Sequence, residues 1–143
     1  SRRLQGLLTA ITDTAASSWG YINAVGEIIT HNPKQFAGYI PELYRLMSDR
    51  ALLPDVLDAL GKISEENPDI VRKKGHHFIP LLQDPISDIR GHAIILLGNL
   101  KISEIKEDLS MLLEDTTALN VYRNGVMENL SIGELASKAL KKL

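Results

Sequence analysis

The chain has 143 residues, a formal net charge of −2, 44% hydrophobic and 24% charged residues. Those proportions are ordinary for one globular domain and exclude a chain that is disordered throughout. The absence of cysteine excludes disulfides, thiolate nucleophiles and cysteine-held zinc or iron–sulfur centres. No apolar run reaches the length of a membrane-spanning helix, and no basic leader precedes an apolar core, so the cytoplasm is the expected compartment.

In chain order, Leu4, Leu7, Leu8 and Ile11 recur at helical spacing and predict a leading half-repeat, residues 1–14, with a helix over 2–13. That apolar stripe has no preceding helix to cover it. It is expected to pack on the next element or to join two copies of the chain by self-association through residues 1–13.

Beyond it the sequence repeats. Leu46-Met47-Ser48-Asp49, Leu81-Leu82-Gln83-Asp84 and Leu112-Leu113-Glu114-Asp115 are one tetrapeptide type, with a weaker copy at Ala10-Ile11-Thr12-Asp13. The aspartates are spaced by 36, 35 and 31 residues. Asn32-Pro33 and Asn67-Pro68 lie 35 apart, and Gly26, Gly61 and Gly98 are separated by 35 and 37. Three markers in one period define repeats over 15–49, 50–84, 85–115 and 116–143 in a single domain, 1–143.

Each repeat reads as two helices. The predicted pairs are 15–31 with 33–48, 50–65 with 68–83, 86–101 with 103–114, and 117–130 with 132–142. Asn is a good N-cap, and proline fits the first helical turn because its missing N–H has no partner there, so the Asn-Pro pairs should open the second helices of repeats one and two. Ser131 and Glu134 form a capping box for the last helix. Residues 93–97, Ala-Ile-Ile-Leu-Leu, are apolar around the whole helix circumference, as a centrally buried layer requires. No polar/apolar alternation is sustained, so no sheet is expected. A strand longer than three residues would count against the repeat reading.

The stretch Asp84-Pro85-Ile86-Ser87-Asp88-Ile89-Arg90-Gly91-His92-Ala93, running on to Leu97-Gly98-Asn99-Leu100, resembles the HEAT-repeat superfamily in its short form, the PBS-lyase HEAT-like repeats. The segments Ser18-Trp19-Gly20 to Gly26-Glu27-Ile28-Ile29 and Gly133-Glu134-Leu135-Ala136 also look like small prokaryotic HEAT proteins. The resemblance implies an all-α, right-handed solenoid of about four helical pairs plus the half-repeat, an armadillo-like superhelix. It implies a signature in which Asp84 caps the turn, Arg90 pairs with it or with a neighbouring aspartate, Ala93 faces inward and Gly98 ends the motif. Asp55 and Trp19 stand where other repeats would carry the arginine. Tetratricopeptide repeats have a similar period, but Trp19-Gly20-Tyr21 occurs only once.

Chemistry is sparse. His76 and His77 are adjacent, so on a helix they point about 100° apart and do not chelate one ion. Metal-binding His-Glu dipeptides, nucleophile elbows, phosphate loops and dinucleotide fingerprints are all missing from the sequence. No catalytic residue, metal or cofactor is therefore assigned, and the chain is not expected to be an enzyme.

Charge is more informative. If Val71, Gly75, Phe78 and Leu82 form the core stripe of the second helix in repeat two, then Arg72, Lys73, His76 and His77 face solvent. If Ile105, Leu109 and Leu112 do so in repeat three, then Glu104, Glu107 and Asp108 face solvent. A positive strip then lies beside a negative one on the inner wall of the stack. The expected function is a non-catalytic protein–protein interaction scaffold that uses this concave face, its partner another protein. The resemblance offers two alternatives: a lyase-like role on an open-chain tetrapyrrole or chromophore-bearing protein, and DNA binding. The second needs a basic, aromatic-lined groove, which 5% aromatic residues and 18 acidic ones do not favour.

Overall fold

Helical periodicity dominates what forms. The computed structural model describes residues 18–123 and 125–143. The predicted helix over 2–13 and its stripe Leu4, Leu7, Leu8 and Ile11 lie outside the described residues. The chain divides into two compact units, one ending at Ile70 and one running Val71–Leu143. Among the described residues the fold is mostly helical, with one two-stranded sheet. No helix among them is long and apolar enough to cross a membrane.

The first unit holds α1 (Ser18–His31), α2 (Pro33–Phe36), a 3-10 turn (Ala37–Tyr39), α3 (Ile40–Leu46) and α4 (Leu53–Glu66). Ile22, Val25 and Ile29 of α1 and Val56, Leu57, Leu60 and Ile63 of α4 are buried. The two helices run in the same direction, and their contacts join residues about one repeat apart. A Cβ on Gly26 would stand 3.0 Å from the Ala59 methyl. Lys62 donates to the Asn23 side chain at 3.3 Å, and the Asn67 amide donates to the Thr30 carbonyl at 3.5 Å.

The second unit repeats that device. It contains a 3-10 helix (Gly75–Gln83), α6 (Ser87–Leu100), a 3-10 turn (Ser103–Ile105), α7 (Lys106–Leu112), β1 (Ala118–Arg123), β2 (Val126–Ser131) and α8 (Ile132–Lys142). It follows the short helix α5 (Asp69–Arg72), the chain's passage from one unit to the next. Helices α6 and α8 are parallel and pack together where a Cβ on Gly98 would stand 3.0 Å from the Ala139 methyl. Lys142 closes the same seam by donating to Asn99 Oδ1 at 2.6 Å. As the all-round apolar pattern requires, α6 is covered on several sides: by the 3-10 helix, by α8 and by β1.

Three expectations are corrected. First, the chain is not all-α. Residues 118–131, expected within a helix over 117–130, form an antiparallel hairpin with Arg123 opposite Val126 and Ala118 opposite Ser131. The cause is local: Gly125, between the strands, has φ +79°, the left-handed backbone that a tight hairpin turn needs. Leu119 and Val121 are buried while their neighbours Ala118, Asn120 and Tyr122 are exposed, so β1 has a core side. The strands exceed three residues, which removes residues 116–143 from the regular helical repeat. In that segment α8, expected as a second helix, packs on α6 as a first helix would.

Second, the second helices of repeats one and two are broken. Residues 33–48 become α2, a 3-10 turn and α3, with Pro41 opening α3. Residues 68–83 become α5 and a 3-10 helix with Pro80 inside it. Proline lacks the N–H that an α-helix needs and crowds the preceding turn. Third, Asn32 caps α2 through its backbone alone, its carbonyl accepting from Gln35 and Phe36 at 3.2 and 3.0 Å. The Asn67 side chain is spent on α1 instead. The Ser131 cap is present, its hydroxyl accepting from the Glu134 N–H at 3.1 Å.

Helix α6 ends on Lys101, which has φ +56°. The Lys101 and Ile102 N–H groups donate to the Gly98 and Leu97 carbonyls, a left-handed cap that glycine adopts without the Cβ clash. Lys101→Gly is expected to raise stability by about 0.5–1 kcal/mol. A thermal melt checks this; an unchanged or lower midpoint would show that the left-handed cap is not strained.

Candidate functional site

The aspartates that mark the repeats share one job. Asp49 Oδ1 accepts from the Ala51 N–H at 3.0 Å, Asp84 Oδ1 from Ile86 at 3.0 Å, and Asp115 Oδ1 from Thr117 at 2.9 Å. Each thus closes a turn onto the residue two positions on. Arg90 ties two of these turns together. Its guanidinium donates to the Asp84 and Pro85 carbonyls at 2.9 and 3.1 Å and to Asp115 Oδ2 at 3.2 Å. Ala93 is fully buried and Gly98 meets Ala139, so all four signature residues have structural roles in the second unit.

Asp115 is held below the usual carboxylate range, first by the Thr117 backbone N–H and then by the Thr117 side chain; burial opposes them, and Arg90 adds a smaller lowering. A carboxyl depressed by folding adds stability at every pH above its unfolded value of about 3.9 and loses that contribution as pH falls through the folded value. The difference in denaturation midpoint between the wild type and Asp115→Asn is therefore expected to be largest near neutrality and to close at acid pH. A difference that stays constant with pH would show that the charge on Asp115 contributes nothing.

The candidate interaction residues also lie in the second unit. Arg72 ends α5, Lys73 and Lys74 form the turn after it, and the chain then drops onto the core at Gly75. A Cβ there would stand 2.8 Å from Ile102 Cδ1. Val71, Gly75, Phe78 and Leu82 are buried, so the expected stripe exists even though the helix is broken. Arg72, Lys73, His76 and His77 are exposed. On the neighbouring elements Ile105 and Leu109 are buried and Leu112 half-buried, with Glu104 and Glu107 exposed and Asp108 half-exposed. His76 Nε2 of the first strip lies 3.9 Å from Glu104 Oε1 of the second, with side chains 70% and 61% exposed.

Arg72 has a further bond. Its Nε donates to the Leu100 carbonyl at 3.3 Å, satisfying the end of α6 where a helix leaves carbonyls without internal partners. It is thus part of the scaffold as well as of the surface. Lys74, which continues the basic run Arg72-Lys73, and Lys101, which the run does not contain, are exposed as well. Lys101 stands between Leu100, which Arg72 touches, and Ile102, which lies against Gly75. The signal for it is the short Lys101-Ile102-Ser103 turn, which brings the end of α6 back beside residues 72–75.

Among the described residues, no group of three or more histidine, aspartate or glutamate side chains is placed to hold a metal. A recess between α6 and α8, lined by Ile95, Gly98, Leu135, Lys138, Ala139 and Lys142, measures about 20 Å³, room for roughly one water. Compared with protein-family models, curated proteins and solved structures, the chain matches none.

Proposed function

We propose that this chain is a non-catalytic protein–protein interaction scaffold of HEAT-like construction. The observation that carries the reading is the pair of charged strips on adjacent elements, Arg72, Lys73, His76 and His77 beside Glu104, Glu107 and Asp108. They stand on a core of buried side chains, and His76 of one lies 3.9 Å from Glu104 of the other in an exposed contact. Exposed charge pairs of this kind stabilise a fold by at most about 1 kcal/mol. Such strips do more for a partner's orientation and rate of arrival. The HEAT-like reading is supported by the repeated aspartate turns and by the parallel helices that close on a glycine–alanine contact in each unit. The solenoid, the concave face and a cytoplasmic setting belong to this proposal.

The test reverses both strips. Lys73→Glu with Glu107→Lys leaves Arg72 on its helix end. Affinity capture from the native extract should then yield a protein that the wild type retains and the variant loses, with circular dichroism unchanged. Equal retention by both would remove this face from the interaction.

A further inference from the structure

We infer that the partner segment received by this face is a short acidic polypeptide, seated on the basic cluster around the end of α6; this rests on the interaction reading above. The cluster is larger than the sequence strip. Arg72 ends α5, Lys73 and Lys74 form the turn after it, His76 and His77 follow, and Lys101 comes directly after Leu100, whose carbonyl Arg72 reaches. All six are exposed, and Gly75, between Lys74 and His76, lies so close to Ile102 that a Cβ there would stand 2.8 Å from its Cδ1. The bond from Arg72 to the Leu100 carbonyl fixes one guanidinium in place, so less ordering remains to be done on binding.

The border of the cluster selects among polyanions. Glu104 stands 3.9 Å from His76, and Glu107 and Asp108 continue the acidic side on the next helix. A nucleic-acid strand carries a charge at every step of about 3.4 Å, so a strand longer than the cluster meets this acidic border. A membrane surface presents anions over a wider area still and meets the same carboxylates. A short run of aspartate and glutamate ends before it reaches them. In a 3-10 helix side chains three apart are eclipsed, which places exposed Pro80 in line with His77. The cluster therefore has an apolar ledge for a side chain next to the acidic run, a feature a protein segment uses and a phosphate backbone does not.

The experiment measures fluorescence anisotropy with a short labelled Glu/Asp peptide, its Gln/Asn counterpart, a duplex DNA and phosphatidylserine vesicles, at low and high salt. The acidic peptide is expected to bind, the amide peptide not to bind, and salt to weaken the complex as the screening length shrinks. Lys73→Glu combined with Lys101→Gly should slow association about tenfold or more at low salt. A thermal melt of the double variant with a midpoint no lower than the wild type's separates loss of binding from loss of structure. Glu104→Gln should strengthen binding by removing the nearest repulsive charge. Tighter binding of DNA or vesicles than of the peptide, or indifference to these substitutions, overturns the inference. If the peptide fails while Lys73→Glu still releases a protein in the capture assay, the acidic chemistry is wrong and the face stands. If both fail, the face falls too.

Discussion

Leu97→Ala is expected to destabilise the protein by about 2–5 kcal/mol, the range for removing a buried leucine that leaves a cavity. Leu97 is fully buried on α6, the helix covered by the 3-10 helix, by α8 and by β1. A helix supported on several sides relaxes little into a void, which places the loss toward the upper part of the range. Leu143→Ala is the control, half-buried, so its truncation removes less buried surface and leaves no closed cavity. Urea unfolding of both variants decides: equal losses would mean that α6 is not the centre of the second unit's core.

Gly133→Ala is expected to cost about 3 kcal/mol although it adds a single methyl group. That methyl would run into the Leu113 carbonyl oxygen and lie 3.1 Å from the Asp115 carbonyl oxygen. Both obstacles are backbone, and a well-packed site yields to extra volume only by moving it. The Gly133 N–H also donates to the Asp115 carbonyl at 2.8 Å, so the movement would stretch a bond that seats α8. Gly38→Ala makes the comparison, since a Cβ there meets nothing within 4 Å and removing chain freedom alone stabilises by about 0.4–1 kcal/mol. A denaturation midpoint for Gly133→Ala as high as the wild type's would mean that the Leu113–Asp115 turn gives way freely.

What the sequence made legible was whatever repeats in it. Asp49, Asp84 and Asp115 could be aligned by eye because one side-chain-to-backbone bond recurs at each. Gly26 and Gly98 could be aligned because each admits an alanine from a parallel helix. The breaks were harder, since Pro41 and Pro80 sit inside stretches whose apolar spacing remains helical, and the buried stripe of Gly75, Phe78 and Leu82 survives a change from α to 3-10 geometry. The hairpin was announced by Asn124-Gly125 between Leu119-Asn120-Val121 and Val126, a strong short-range turn signal. Carrying the repeat period through residues 116–143 predicts a helical pair there instead. Of the interaction residues, exposure followed from the core stripe, whereas the Arg72 bond to Leu100 and the approach of Lys101 depend on chain reversal at residues 101–103. The short Lys101-Ile102-Ser103 turn signals that reversal, but not which residues it brings together.

The ribbon that replaces the expected helix begins and ends at one place. The Ile132 N–H donates to the Thr117 carbonyl at 2.9 Å, so its two ends are already stapled before the strands depart. Closing a longer excursion from a fixed pair of ends adds little entropy, about 0.6 kcal/mol per doubling of length. The ribbon is therefore a cassette. Its tip can be extended, exchanged or used to carry a foreign sequence while Thr117 and Ile132 keep α8 in register. The tenancy has one fixed clause: Leu119 fills the space over Gly91, where a Cβ would overlap it. Any replacement has to bring a side chain of similar bulk to that spot or leave α6 bare.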